Sequence, residues 1–149
     1  MTKQLWLHLL IWVKFQNINY KMDERHLDGT GKGEFLYDFN NDVLMFKVKD
    51  RDYKNSVEFQ NFVADIDTEG FVTGIRIFDA SKVFGIDKYT LKHIIKWGFK
   101  TSVESGMITV RLTFIGQVRN KEVLVENFTQ QLTTSVSGLT DSSVECMIA

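Results

Sequence analysis

The segment Asp65-Ile66-Asp67-Thr68-Glu69-Gly70 spells the first half of a calcium-binding EF-hand loop, with oxygen ligands at positions one, three and five and glycine at six. The second half departs from that pattern: Arg76 stands at position twelve, where a bidentate glutamate is needed, and the flanks alternate like strands. A tight hairpin turn is the stronger reading, with Gly70 taking a positive φ. Gly29-Thr30-Gly31-Lys32-Gly33 has the look of a phosphate-cradling loop, but a Walker A motif needs glycine where His26 stands and Ser or Thr where Gly33 stands. His8, His26 and His93 are scattered, with no spacing that pairs two on one element, and neither a metal nor a cofactor is expected. There is no Gly-x-Ser-x-Gly elbow, and the single cysteine, Cys146, has no base near it in sequence, so no catalytic residue is nominated. Asp50/Asp52 and Asp65/Asp67 read as solvated pairs. Lys88, Lys92 and Lys96, extended by Lys82 and Lys100, form the only concentrated positive charge. With Tyr89 and Trp97 close by for stacking they could meet the phosphates of a nucleic acid, although a solvated helix face is the plainer explanation.

These residues need elements to carry them. Hydrophobic alternation predicts strands over Glu34–Tyr37 and Val43–Lys49, a charged loop over Asp50–Asn55, and one longer strand over Ser56–Asp67 that turns into Phe71–Phe78. One helix is expected from about Lys88 to Gly98, capped by Asp87 and ended by Gly98, with Leu91, Ile94 and Ile95 on its buried side. A meander follows, over Phe99–Glu104, Met107–Val118 and Val123–Leu132. In its central strand Ile108, Val110, Leu112 and Phe114 face the core and Thr109, Arg111 and Thr113 face out. The expected fold class is α+β: antiparallel β hairpins and a C-terminal meander with one covering helix at about 88–98.

A chain of 149 residues is long enough for a self-sufficient core, and a net charge of -1 gives no global attraction to a polyanion. The apolar run Leu5–Val13 is too short to span a bilayer and lacks a signal-peptide cleavage site, so no membrane partner is expected and the location is read as cytoplasmic. Met22 opens an acidic stretch that would serve as a natural start, which leaves open whether residues 1–21 belong to the native protein. Residues 1–33 are read as an N-terminal extension and Gly-rich linker, 34–132 as a single domain and 133–149 as a flexible tail. Cys146-Met147-Ile148-Ala149 formally satisfies the prenylation pattern, but no basic cluster precedes it, and coincidence is the simpler account.

At the hairpin the residues carry a resemblance. Tyr37-Asp38-x-x-x-Asp42-x-Leu44, followed by Asp65-x-Asp67-x-x-Gly70-x-Val72-x-Gly74-Ile75-x-Ile77-x-Asp79-Ala80-Ser81, resembles a family of short prokaryotic proteins known only as a domain of unknown function. The resemblance covers about residues 34–81. It implies a compact antiparallel unit that self-associates, brings no catalytic residues, and suggests an antitoxin-like role beside an unidentified protein partner. The expectation for function is thus a non-enzymatic protein-binding or self-associating module. The alternative is a nucleic-acid-binding protein using Lys88, Lys92, Lys96 and Lys100.

Overall fold

The computed structural model describes residues 25–133 and 139–147. The apolar run Leu5–Val13 and the Met22 start lie outside them. Two five-stranded sheets face each other. In the first, β2 (Gly33–Asp38), β3 (Val43–Val48), β4 (Tyr53–Phe59), β5 (Phe62–Asp67) and β6 (Val72–Phe78) lie in the order β2-β3-β6-β5-β4. All of its neighbouring pairs are antiparallel. In the second, β1 (Arg25–Asp28), β7 (Ile94–Glu104), β8 (Met107–Val118), β9 (Lys121–Thr133) and β10 (Ser142–Met147) lie in the order β1-β10-β7-β8-β9. Here only β1 and β10 run parallel.

The core is the slab between the sheets. Alternate residues of each strand turn into it, as a period of two requires: Leu44, Phe46 and Val48 from β3, Ile75 and Ile77 from β6, and Ile108, Val110, Leu112 and Phe114 from β8. Aromatic contacts tie the layers together. The Phe46 ring lies 5.0 Å from that of Trp97, and Phe62 stacks on Phe128 at 5.7 Å between centroids. A buried hydrogen bond, Thr101 Oγ1 to the Val72 carbonyl at 2.7 Å, joins the sheets directly.

The fold is therefore a β-sandwich, and the expected α+β arrangement with a covering helix is incorrect. Among the described residues the helical ones are two five-residue pieces, α1 (Ala80–Phe84) and α2 (Lys88–Lys92), in the crossover between the sheets. Asp87 does cap α2, accepting the Thr90 amide at 2.7 Å. The helix stops at Lys92, however, and Ile94 begins β7. A β-bulge between Ile94 and Lys96 explains the misleading pattern. The extra residue leaves both Ile94 and Trp97 facing the core, three apart, continuing the spacing from buried Leu91. Three inward residues at intervals of three imitate a helix. Gly98 is a strand residue whose missing Cβ leaves room for the Met147 side chain.

The single long strand expected over Ser56–Asp67 is two strands, β4 and β5, paired antiparallel with Phe59 opposite Phe62. Gln60 makes the turn with a φ of 51°. The Gly-rich stretch follows β1 and packs Gly29 against Val48, its amide bonding to the Glu145 carbonyl at 2.7 Å. Ser142–Met147, from the segment expected to be a flexible tail, form β10 between β1 and β7. Val144 and Cys146 there join the core.

Cys146 is 0% exposed, and its Sγ lies 3.4 Å from the Gly29 carbonyl. Burial, with a smaller contribution from Asp28, pushes its thiol pKa up to about 11, so at neutral pH it carries almost no thiolate. Labelling with a thiol-reactive disulfide reagent is expected to proceed only at the rate of opening. It should be at least 100-fold slower in buffer than in urea, and comparable rates in the two would place Cys146 outside the core.

Candidate functional site

The outward side of the first sheet carries the site's residues in three registered rows. Asp38, Val43 and Phe78 form the first, and Leu36, Met45, Arg76, Val63 and Glu58 the second. Glu34, Lys47, Gly74, Asp65 and Ser56 form the third. Leu36 is 56% exposed and Phe78 38%, with half-buried Val43 and Met45 between them. This apolar block sits at one end of the face, over a shallow depression of about 520 Å³. Beside it lies a second depression of about 390 Å³, lined by Lys47, Tyr53, Asp65, Gly74 and Arg76 among others.

The polar end is internally paired. Arg76 holds Asp65 with both branches of its guanidinium, Nε to Oδ2 at 3.0 Å and Nη2 to Oδ1 at 2.7 Å. Ser56 Oγ donates to the same Oδ1 at 2.7 Å and lies 2.6 Å from the Tyr53 hydroxyl. The guanidinium stays firmly protonated, chiefly because of its hydrogen bonds to Asp65, which outweigh burial. Gly74 stands opposite Asp65 in register, and a Cβ there would come within 3.3 Å of the Asp65 side chain, so glycine gives the ion pair its space. This arrangement can bury apolar area and orient an arginine. It does not free an acid or a base.

Two further groups of motif residues fasten the ends of the face. At the β5–β6 turn, Asp67 Oδ1 accepts the amides of Glu69 at 3.0 Å and Phe71 at 2.9 Å, while Oδ2 accepts Arg51 Nε at 2.8 Å. Gly70 has a φ of 85°. The half-calcium loop is thus a turn whose two acids are engaged, Asp67 by amides and Arg51 and Asp65 by Arg76. At the opposite end, Asp42 accepts the Tyr37 hydroxyl at 2.7 Å and the Ser81 hydroxyl at 2.6 Å. Burial raises the Asp42 pKa, but the bonds from Ser81 and Tyr37 outweigh it and leave the group below the ordinary carboxylate range. Burial, then the bond to Asp42, drives the Tyr37 phenol well above its usual value. Among the described residues, no three His, Cys, Asp or Glu side chains converge as a metal site.

The lysines proposed for nucleic acid do not form one stripe. Lys88 and Lys92 lie on α2 with their ammonium groups 5.5 and 5.7 Å from the centre of the Phe39 ring, at the β2–β3 turn. Lys96 and Lys100 are on β7, facing out of the second sheet, and Lys100 pairs with Glu145 at 3.4 Å. Sequence reasoning passed over Leu36 and Phe78 as surface residues and Arg76 as the partner of Asp65. Alternation places Leu36 and Phe78 on the face, whereas the Arg76 pairing needs the β5–β6 register.

The motif residues of this β-sandwich are thus spent on turns and on ion pairs within one sheet, whose outer face is apolar at one end. The chain belongs to the family described as "Protein of unknown function (DUF2283)", whose model matches residues 35–81. That span is β2 to the start of α1, which contains most of the first sheet and its fastenings. An uncharacterised protein of Methanocaldococcus jannaschii is 32% identical over 99 residues, covering 66% of this chain and 85% of that protein. A Methanosarcina mazei protein named "Putative hypoxanthine phosphoribosyltransferase" is 31% identical over 93 residues, covering 62% of this chain and 74% of that protein. No solved structure matches. Among the described residues no helix is long and apolar enough to cross a membrane.

Proposed function

We propose that the protein is a non-enzymatic, self-associating module in which two copies meet through the outer face of β2–β6. The observation that carries this reading is the apolar block of Leu36, Val43, Met45 and Phe78, uncovered by any described element and inside the family-matched segment. Five strands at about 4.8 Å and six residues at about 3.4 Å give a face of about 24 by 20 Å. Corrugated by side chains, that is of the order of the roughly 800 Å² per partner of a standard interface. Both signs of charge flank the block, Glu34 with Lys47 and Asp65 with Arg76, so a second copy meets no uniform repulsion. A cytoplasmic location fits the single reduced thiol of Cys146.

Light scattering should give a mass twice the 17.3 kDa of the full chain, and for a chain starting at Met22 twice its own smaller monomer mass. The double substitution Leu36→Glu, Phe78→Glu places two carboxylates in the interface and is expected to weaken association at least 100-fold. Its thermal midpoint should match that of the unsubstituted chain at dilutions where both are monomeric, because both side chains are partly exposed. A monomer in all samples, a dimer untouched by the double substitution, or one lost only when residues 1–21 are removed would each refute the reading. An antitoxin-like role would seat a foreign protein on the same face. The transferase name of the Methanosarcina relative is the competing view, and turnover of hypoxanthine by the purified chain would establish it instead.

A further inference from the structure

The outer face of the second sheet is built differently, and its geometry points to a binding site for a small sugar phosphate. Cross-strand register sets Asp28, Glu145, Lys100, Arg111 and Thr129 in one row and His26, Ser143, Ser102, Thr109 and Gln131 in the next. Most of these residues line an open depression of about 440 Å³, within the size range of small-molecule sites.

Lys100 and Arg111 are directly opposite each other on neighbouring strands, a placement of like charges that destabilises a sheet. Glu145 offsets Lys100, with its carboxylate 3.4 Å from the ammonium. Arg111 makes no ion pair among the described residues. An exposed guanidinium beside a second cation is the arrangement that takes a phosphate in bidentate fashion.

The neighbouring row decides what the phosphate is attached to. Two residues along the strands, about 7 Å away, it presents three hydroxyls, an amide and an imidazole. Each of these both donates and accepts, as the vicinal hydroxyls of a sugar require. His26 Nδ1 lies 2.8 Å from Ser143 Oγ, which fixes both groups. Glu104 lies two residues beyond Ser102 on β7 and supplies a carboxylate acceptor at the far end. Among the described residues the lining of the depression holds no Phe, Tyr or Trp, hence no platform for stacking a nucleobase. A charged end followed by a hydroxyl end fits a phosphorylated sugar better than a nucleotide or a bare anion.

The test is an amide chemical-shift titration of the full chain with ribose 5-phosphate and glucose 6-phosphate, each against its unphosphorylated sugar and against inorganic phosphate. At least one sugar phosphate should produce saturable shifts at Ser102, Thr109, Arg111 and Ser143, at least tenfold tighter than free sugar or inorganic phosphate. Arg111→Gln should weaken that binding at least tenfold and Thr109→Val severalfold. Both side chains face away from the core, so thermal midpoints should not fall, and Arg111→Gln, which relieves the repulsion with Lys100, should leave its own unchanged or slightly higher. Shifts that never saturate, that track ionic strength alone, that are equalled by inorganic phosphate, or that persist in Arg111→Gln would overturn the site. The Leu36→Glu, Phe78→Glu chain should bind the same sugar phosphate unchanged, which separates this site from the self-association face.

Discussion

Asp67→Ala is expected to lower the unfolding free energy by about 3 kcal/mol, read as a shift of the urea midpoint at constant slope. Asp67 is 1% exposed and accepts three hydrogen bonds, from the Glu69 and Phe71 amides and from Arg51, of which Arg51 also pairs with Glu69. Alanine strands the buried Phe71 amide and the Glu69 amide, and an unsatisfied buried donor costs about 1–3 kcal/mol. It also removes the carboxylate beneath Arg51, which packs with Arg25 over the Phe71 ring at 5.7 and 4.4 Å. Asp67→Asn separates these terms. Its carbonyl oxygen can still accept both amides while the charge facing Arg51 is gone, so a loss of about 1 kcal/mol is expected. Equal losses in the two variants would assign the stabilisation to the ion pair instead of the turn. Because a typical domain is stable by about 5–15 kcal/mol, the alanine change removes a large share.

That turn is the part of the protein most legible in sequence, for a physical reason. Its donors and acceptor lie within four residues of one another, and Gly70 marks the positive φ. The β8 strand is legible for a similar reason, since simple alternation separates Val110 and Leu112 from Arg111 and Thr113. Legibility fails where a local irregularity shifts the period. The bulge at Ile94 turns a strand pattern into a helical one, and Gln60 makes a tight turn that no glycine announces. It fails again where pairing supplies what composition lacks. The four residues of β1 have no alternation strong enough to predict a strand and are ordered by their ladder to β10. The candidate faces are legible residue by residue but not as faces. Arg76 meets Asp65 only through the β5–β6 register, and Lys100 meets Arg111 only through β7–β8.

The Asp42 network shows the same distance effect and leads to the strongest pH prediction. Ser81 lies 39 positions from Asp42 along the chain, yet its amide and hydroxyl both donate to that carboxylate, which is 6% exposed and sits at a φ of 55°. The Ala80 amide adds a bond to the Asp42 carbonyl at 3.1 Å, so the β2–β3 turn and the start of α1 are joined at one residue. Asp42→Ala leaves the Tyr37 and Ser81 donors unpaired and puts alanine in a left-handed conformation. Together these should lower stability by about 4 kcal/mol. Asp42→Asn tolerates the backbone but turns an amide N–H₂ toward one of the donors, for an expected loss of about 2 kcal/mol. Because the folded carboxyl is held below its unfolded value, its contribution is complete above the unfolded pKa of about 3.9 and disappears as pH falls through the lower folded value. Tyr37 acts in the opposite sense. Its raised pKa keeps a contribution that is complete below about pH 10 and is lost only as pH rises through the folded value. Urea midpoints measured between pH 2 and 11 should therefore show an acid limb that is shallower in Asp42→Asn and an alkaline limb altered by Tyr37→Phe. An acid limb of unchanged slope in Asp42→Asn would mean that other carboxylates, and not this one, hold the family-matched sheet together at low pH.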